Sequence, residues 1–332
     1  MKKFILSFLL FVGIIFTPFI ALAHVKWFTD VMPVKESIDQ IITPLFMALT
    51  IITALVLAIL PQVLPKVMQY EPLRKIDHKL DGFRKYTMTI LRYGTAISLL
   101  LQVFSGSLFA PEIEHNTFFI TILTWIMIVL LLIPYHLATK AAGVLMFSLY
   151  IYFVLALGIF HMLDYGFYIA IAFVLLMAKT KYENWSFPFL YLATGLSLCW
   201  VAAEKWVYPS MSADIIASHN VPTFFFSPET FIVISAFIEF VVGYLLIVGI
   251  LNRLLAFVLT GIFIMTTTLF GYVEIVGHSM IHFILVLFII EGVSFYKPPI
   301  KIHKTVLDQV IFVFLNYIFV LATVVLLYYR FA

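Results

Sequence analysis

The 332-residue sequence predicts an all-α, polytopic transmembrane helix bundle of about ten helices. Three observations lead there. Hydrophobic residues make up 64% of the chain and charged residues only 11%, with a mean hydropathy of +1.11; a soluble domain carries about 25% charged residues. Apolar runs close to the length of a span, about 20 residues, recur from one end of the chain to the other. Basic residues gather in the short connections between those runs. That pattern sets orientation in a bilayer and does not resemble the lining of a nucleic-acid groove. The reading leaves no room for a large soluble domain, expects no nucleic-acid partner, and makes the lipid bilayer the surroundings of the whole chain.

Residues 1–23 read as a cleaved secretory signal peptide. Met1-Lys2-Lys3 is basic, Phe4 to Phe16 is apolar, and Ala21-Leu22-Ala23 has the small-x-small form of a cleavage site. Cleavage there leaves His24 as the mature N-terminus. The remaining apolar runs predict spans near 44–64, 88–109, 118–133, 141–160, 165–178, 187–207, 231–251, 254–273, 278–294 and 306–329. They divide the chain into 24–87 (an N-terminal segment, the first span and a basic loop), 88–185 and 186–296 (two four-helix units), and 297–332 (a final span).

Charge distribution predicts the orientation. If His24 is outside, the inner connections at 66–85, 135–140, 179–185, 252–253 and 297–304 all carry Lys or Arg. The outer ones at 111–115, 161–164, 208–228 and 271–277 carry none. The positive-inside rule then predicts a multi-pass protein of a bacterial-type inner (plasma) membrane, with both mature ends on the outer, periplasmic or extracellular side.

A tandem repeat is expected as well. Gly94-Thr95-Ala96-Ile97-Ser98-Leu99 resembles Ala193-Thr194-Gly195-Leu196-Ser197-Leu198, and His161-x-x-x-Tyr165 falls where His278-x-x-x-His282 falls.

Polar residues inside spans are the candidates for chemistry, because an ionised side chain at mid-membrane costs about 2.5–3.5 kcal/mol even on lenient scales. Glu239 lies mid-span and needs a partner, a metal or a proton. Glu204 and Lys205 close the 187–207 span, where the lysine is expected to snorkel to the interface. Glu274, His278 and His282, spaced i, i+4, i+8, line one stripe if a single helix carries all three, which suits a metal-ligand set or a proton relay. Gly277 is a place where that helix could break. His24, His115, His161 and His219 also fall on the outer side. Imidazole and amine at a free His24 would suit copper or another transition metal, and a bis-histidine haem between His161 and His278 is a variant. Cys199 stands alone, so redox chemistry would need a bound metal or cofactor.

Residues 190–292 resemble the DoxX family of four-helix membrane proteins. The resemblance is carried by Ala203-Glu204-Lys205-Trp206, by Glu239 and Gly243, by Gly249-x-x-x-Arg253, and by the stretch from Glu274 to His282. It implies a membrane oxidoreductase or quinone-linked subunit, with quinone or a membrane redox partner nearby. Residues 88–178 look like a diverged copy with Leu157 and Tyr165 at the positions of Glu274 and His282, so only the second unit keeps the full polar set. The expected site therefore takes Glu239, Glu204 and Glu274 as catalytic acids, and His278 and His282 as cofactor ligands. Its metal set is His278, His282, Glu274, His24 and His161. Glu204, Glu239 and the His278/His282 stripe are expected to converge on one pocket open to the outer face, with His24 closing it from above, since dispersed toward lipid each polar group would lack a partner. A transporter or metal-handling protein and a scaffold subunit of a membrane complex are the alternatives.

Overall fold

A computed structural model describes residues 25–68, 71–114, 117–292 and 305–331. The signal-peptide expectation, His24 and His115 lie outside the described residues.

Apart from one small hairpin the chain is helical. After a single helical turn at Ile38–Ile41 come α1 (Pro44–Met68), the amphipathic α2 (Glu71–Asp81) and α3 (Thr87–Phe104). An antiparallel hairpin, β1 (Ser107–Leu108) and β2 (Ala110–Glu114), leads to α4 (Phe118–Leu132) and α5 (His136–Leu157). The next span is broken: Ile159–Tyr165 meets α6 (Phe167–Met177) at 66°. Then follow α7 (Ser186–Val207), the short α8 (Pro209–Ser218), α9 (Pro228–Val248), α10 (Asn252–Phe270), α11 (Tyr272–Glu291) and α12 (Val306–Phe331).

Among the described residues eight helices are long and apolar enough to cross a membrane, and nine spans result if the broken pair counts as one. The remaining expected span, α4, has 15 residues and is about 22 Å long, short of a hydrocarbon core about 30 Å thick. The span expected at 88–109 stops at Phe104, because Gly106 takes a left-handed turn (φ 74°) into the hairpin. The helix expected from 278 begins at Tyr272, so Gly277 does not break it.

Local sequence sets the helix ends. Ser227 caps α9 by accepting the Thr230 N–H at 3.3 Å, with Pro228 in the first turn. Gly249 closes α9 in the left-handed region, φ 76°, a conformation a Cβ would penalise.

The helices pack as a ring. α3, α4, α5, α6 and α7 touch in sequence, α7 lies along α9, and α10 packs on α11, which returns to α3. The first helix of each expected four-helix unit thus touches the last helix of the other; the repeat itself remains a reading of the sequence. α1 and α12 pair with each other outside the ring, α12 against α7 and α1 against α9. The tightest crossing is α7 on α9, where Gly195 faces Gly243. A Cβ on either would come within 2.5–2.6 Å of the other's carbonyl oxygen. Small residues at such a crossing let two backbones approach, the usual device of helix pairs in lipid. At the end bearing α2, Arg253 pairs with Asp77 and Asp81 and donates to the Ile289 carbonyl at 2.6 Å, which ties α2 to the foot of α11.

Candidate functional site

The other end of the ring holds a buried cluster of acids, lysines and histidine, closed over by the N-terminal strap, residues 25–37. Glu204 and Lys205, on the last turn of α7, are 2% and 0% exposed. Lys205 does not snorkel. Its ammonium lies 2.5 Å from Glu239 on α9, which supplies the partner that a mid-span carboxylate requires. On α11 the Glu274 carboxylate lies 2.8 Å from His278 Nδ1 and accepts the Thr266 hydroxyl of α10. The His278 ring stacks on Phe263 with centroids 4.3 Å apart.

Asp164, at the break before α6, is fully buried. Asp164, Glu239 and His278 line one small cavity with Thr194, Ser197 and Phe263. The centre of a water-sized sphere has about 20 Å³ there, room for one water or one small ion.

The strap inserts four consecutive side chains. Lys26 bridges Asp164 at 2.6 Å and Glu204 at 2.8 Å. Trp27 donates its indole N–H to the Tyr165 hydroxyl at 3.0 Å and lies 4.9 Å, centroid to centroid, from the His278 ring. Phe28 stacks on Phe270, and Thr29 donates to Asp214 of α8 at 2.6 Å. Further along, Glu36 N–H binds the Val207 carbonyl. Burial alone would lower the Lys26 ammonium's pKa, but the carboxylates of Asp164 and Glu204 outweigh it and hold the value well above the ordinary lysine range. On the hairpin side Tyr165 donates to Glu112, which sits 3.5 Å from His161.

Of the groups expected around one pocket, Glu239 and His278 line the cavity, while Glu204 stands beside it through Lys26, which also holds Asp164. His282, one turn deeper, stands edge-on to Phe263 and does not line the cavity. His161 belongs to the Glu112 arm. Among the described residues no three His, Cys, Asp or Glu side chains gather as a metal-binding set. Sequence reasoning missed Lys26 and Trp27 as site residues and read Asp164 only as part of an outer loop. The available signal was a Lys-Trp pair opening a polar segment before the first long span, and an acid in the short connection between two expected spans.

Gly277 explains how the strap seats. A Cβ there would fall 2.1 Å from the Trp27 ring, so Gly277→Ala should expel the indole while slightly favouring the α11 helix itself. Limited proteolysis of residues 25–37 should then be faster than in the unmodified protein. An unchanged cleavage rate would show that the indole is not held against Gly277.

Residues 190–272, which run from α7 to the first residue of α11, match the DoxX family. This stretch is a DoxX domain. It contains Glu204, Lys205 and Glu239, while Glu274, His278 and His282 follow directly on α11, and Lys26 and Asp164 come from outside it. The cavity is therefore shared between the DoxX domain and the rest of the chain. No curated protein and no solved structure matches the chain.

Proposed function

We propose that this DoxX-domain membrane protein is a redox-linked component whose buried acid–histidine cluster stores and exchanges protons. One observation carries the reading. Among the described residues, Glu112, Asp164, Glu204, Glu239 and Glu274 gather at and around the cavity with Lys26 and Lys205 as the fixed cations paired to them. Charge in a buried site must be balanced, and the remaining positive charge falls to protons taken up by the cluster. The cluster thereby becomes a proton reservoir. The redox half of the proposal comes from the DoxX resemblance, which implies a quinone or another membrane redox partner. A quinone ring does not fit a cavity of about 20 Å³, so the cavity serves protons and an electron carrier would meet the cluster at its edge. A metal at His278, His282 and Glu274 is the less supported variant, since His282 turns aside.

The test is reduction of a soluble quinone analogue by purified protein in nanodiscs, followed against pH, for the unmodified chain, Glu239→Gln and His278→Gln. A loss of about 10²–10⁴-fold with each variant is expected if these groups relay protons. Full activity in both would overturn the proposal.

A second reading, ion-coupled transport, is favoured by the 66° break beside Asp164, because broken spans commonly hold the ion or substrate near mid-membrane. Vesicle uptake driven by a proton gradient and abolished by Glu239→Gln, with no quinone reduction in the unmodified protein, would select it.

A further inference from the structure

We infer that the cavity at the helix break binds one small monovalent cation, held by Asp164 Oδ1, Thr194 Oγ1 and the Glu239 carboxylate. This goes beyond proton storage and does not depend on any redox activity.

The first support is that two unpartnered oxygens belong to residues lining the same cavity. Asp164 gives Oδ2 to Lys26, while its Oδ1, fully buried, has no hydrogen-bond partner among the described residues. Thr194, 1% exposed and in the interior of α7, also has an unpartnered hydroxyl. Thr124, Thr260 and Thr267 instead donate to the carbonyl four residues back, at 2.7–2.9 Å. That is the ordinary resting state of a helical threonine in lipid. Thr194 forgoes it on the wall of the cavity that Asp164 also lines. Leaving two buried oxygens without a donor costs about 1–3 kcal/mol each, and a cation between them removes that penalty.

The second support is the charge. Of the two acids on the cavity wall, Glu239 is matched by Lys205, whereas Asp164 must share the single ammonium of Lys26 with Glu204. One negative charge is left over beside the cavity, which calls for one positive charge and not two. A divalent ion would want six or more oxygens and further carboxylates; the hydroxyl-rich wall of Thr194 and Ser197 suits a weaker, monovalent demand.

The experiment is equilibrium binding of ²²Na⁺ to the purified protein in nanodiscs, in choline chloride, at pH values from 5 to 9. Saturable binding that sodium competes and choline does not is expected. Thr194→Val, which keeps the side chain's shape, should weaken it about tenfold by removing one oxygen from the charged ligand. Asp164→Asn should abolish it, and Asp308→Asn, exposed in the first turn of α12 and away from the cluster, should leave it intact. Absence of saturable binding at every pH would show that a proton or water occupies the cavity and would overturn the inference. So would undiminished binding in Thr194→Val. Loss of quinone reduction with sodium binding intact would count against the redox reading alone.

Discussion

Lys26→Met is expected to destabilise the protein by about 3–5 kcal/mol, the usual effect of removing one partner from a buried ion pair. Its ammonium is the bridge between Asp164 and Glu204, themselves 0% and 2% exposed. Without it two carboxyls face each other in a dry site, and at least one must take up a proton. Lys26→Arg should recover most of the loss by keeping the charge. The thermal unfolding midpoint of the purified protein checks both, and a midpoint in Lys26→Met equal to that of the unmodified chain would refute the bridging role. The pH dependence follows from the sign of the shift. The folded-state pKa of Lys26 is raised, so its contribution is fully present below the ordinary lysine value and is lost only as pH climbs past the folded one. Between pH 5 and 9 the gap between unmodified protein and Lys26→Met should therefore owe nothing to titration of the lysine; any slope there belongs to the carboxyls and histidines.

Gly243→Val should have the other large effect. A Cβ at 243 would meet the Gly195 carbonyl oxygen at 2.6 Å and Cys199 Sγ at 2.9 Å. The obstacle is backbone, which cannot rotate out of the way, so α7 and α9 must separate. Overpacking of this kind costs about 1–3 kcal/mol, and here it also pulls Lys205 from Glu239. Gly261→Ala is the matched control, with nothing within 4 Å of its Cβ. The yield of folded protein and its unfolding midpoint should fall sharply for Gly243→Val and hold for Gly261→Ala. Equal behaviour of the two would mean that the α7–α9 crossing is not set by these glycines.

The site was legible in the sequence wherever a polar residue stood inside an apolar run. Glu204, Glu239, His278 and His282 could be singled out because polar groups are expensive in lipid, and the economy of sharing one site predicted a common pocket, of which Glu239 and His278 line the wall. The i, i+4 spacing likewise anticipated the contact between Glu274 and His278. The identity of their partners was less accessible. Lys205 reads as an interfacial lysine because it sits near a helix end, yet the crossing of α7 with α9 turns it inward onto Glu239. His282 shares the stripe of His278, but one turn of helix carries it past the cavity and against the edge of Phe263.

What the sequence by itself determined is the membrane class, the approximate spans, and the DoxX-like stretch with its acids, because hydropathy and cost in lipid are local properties of the chain. Only the tertiary structure decided that the strap at 25–37 crosses the bundle to place Lys26 between Asp164 and Glu204, 138 and 178 residues away in sequence. It also decided that the span before α6 breaks where Asp164 can enter the cavity, and that α4 is too short to count as a full span. The physical reason is the same in each case: which acid meets which cation is fixed by helix crossings and a folded-back tether, and no periodicity along the chain encodes contacts between segments so far apart.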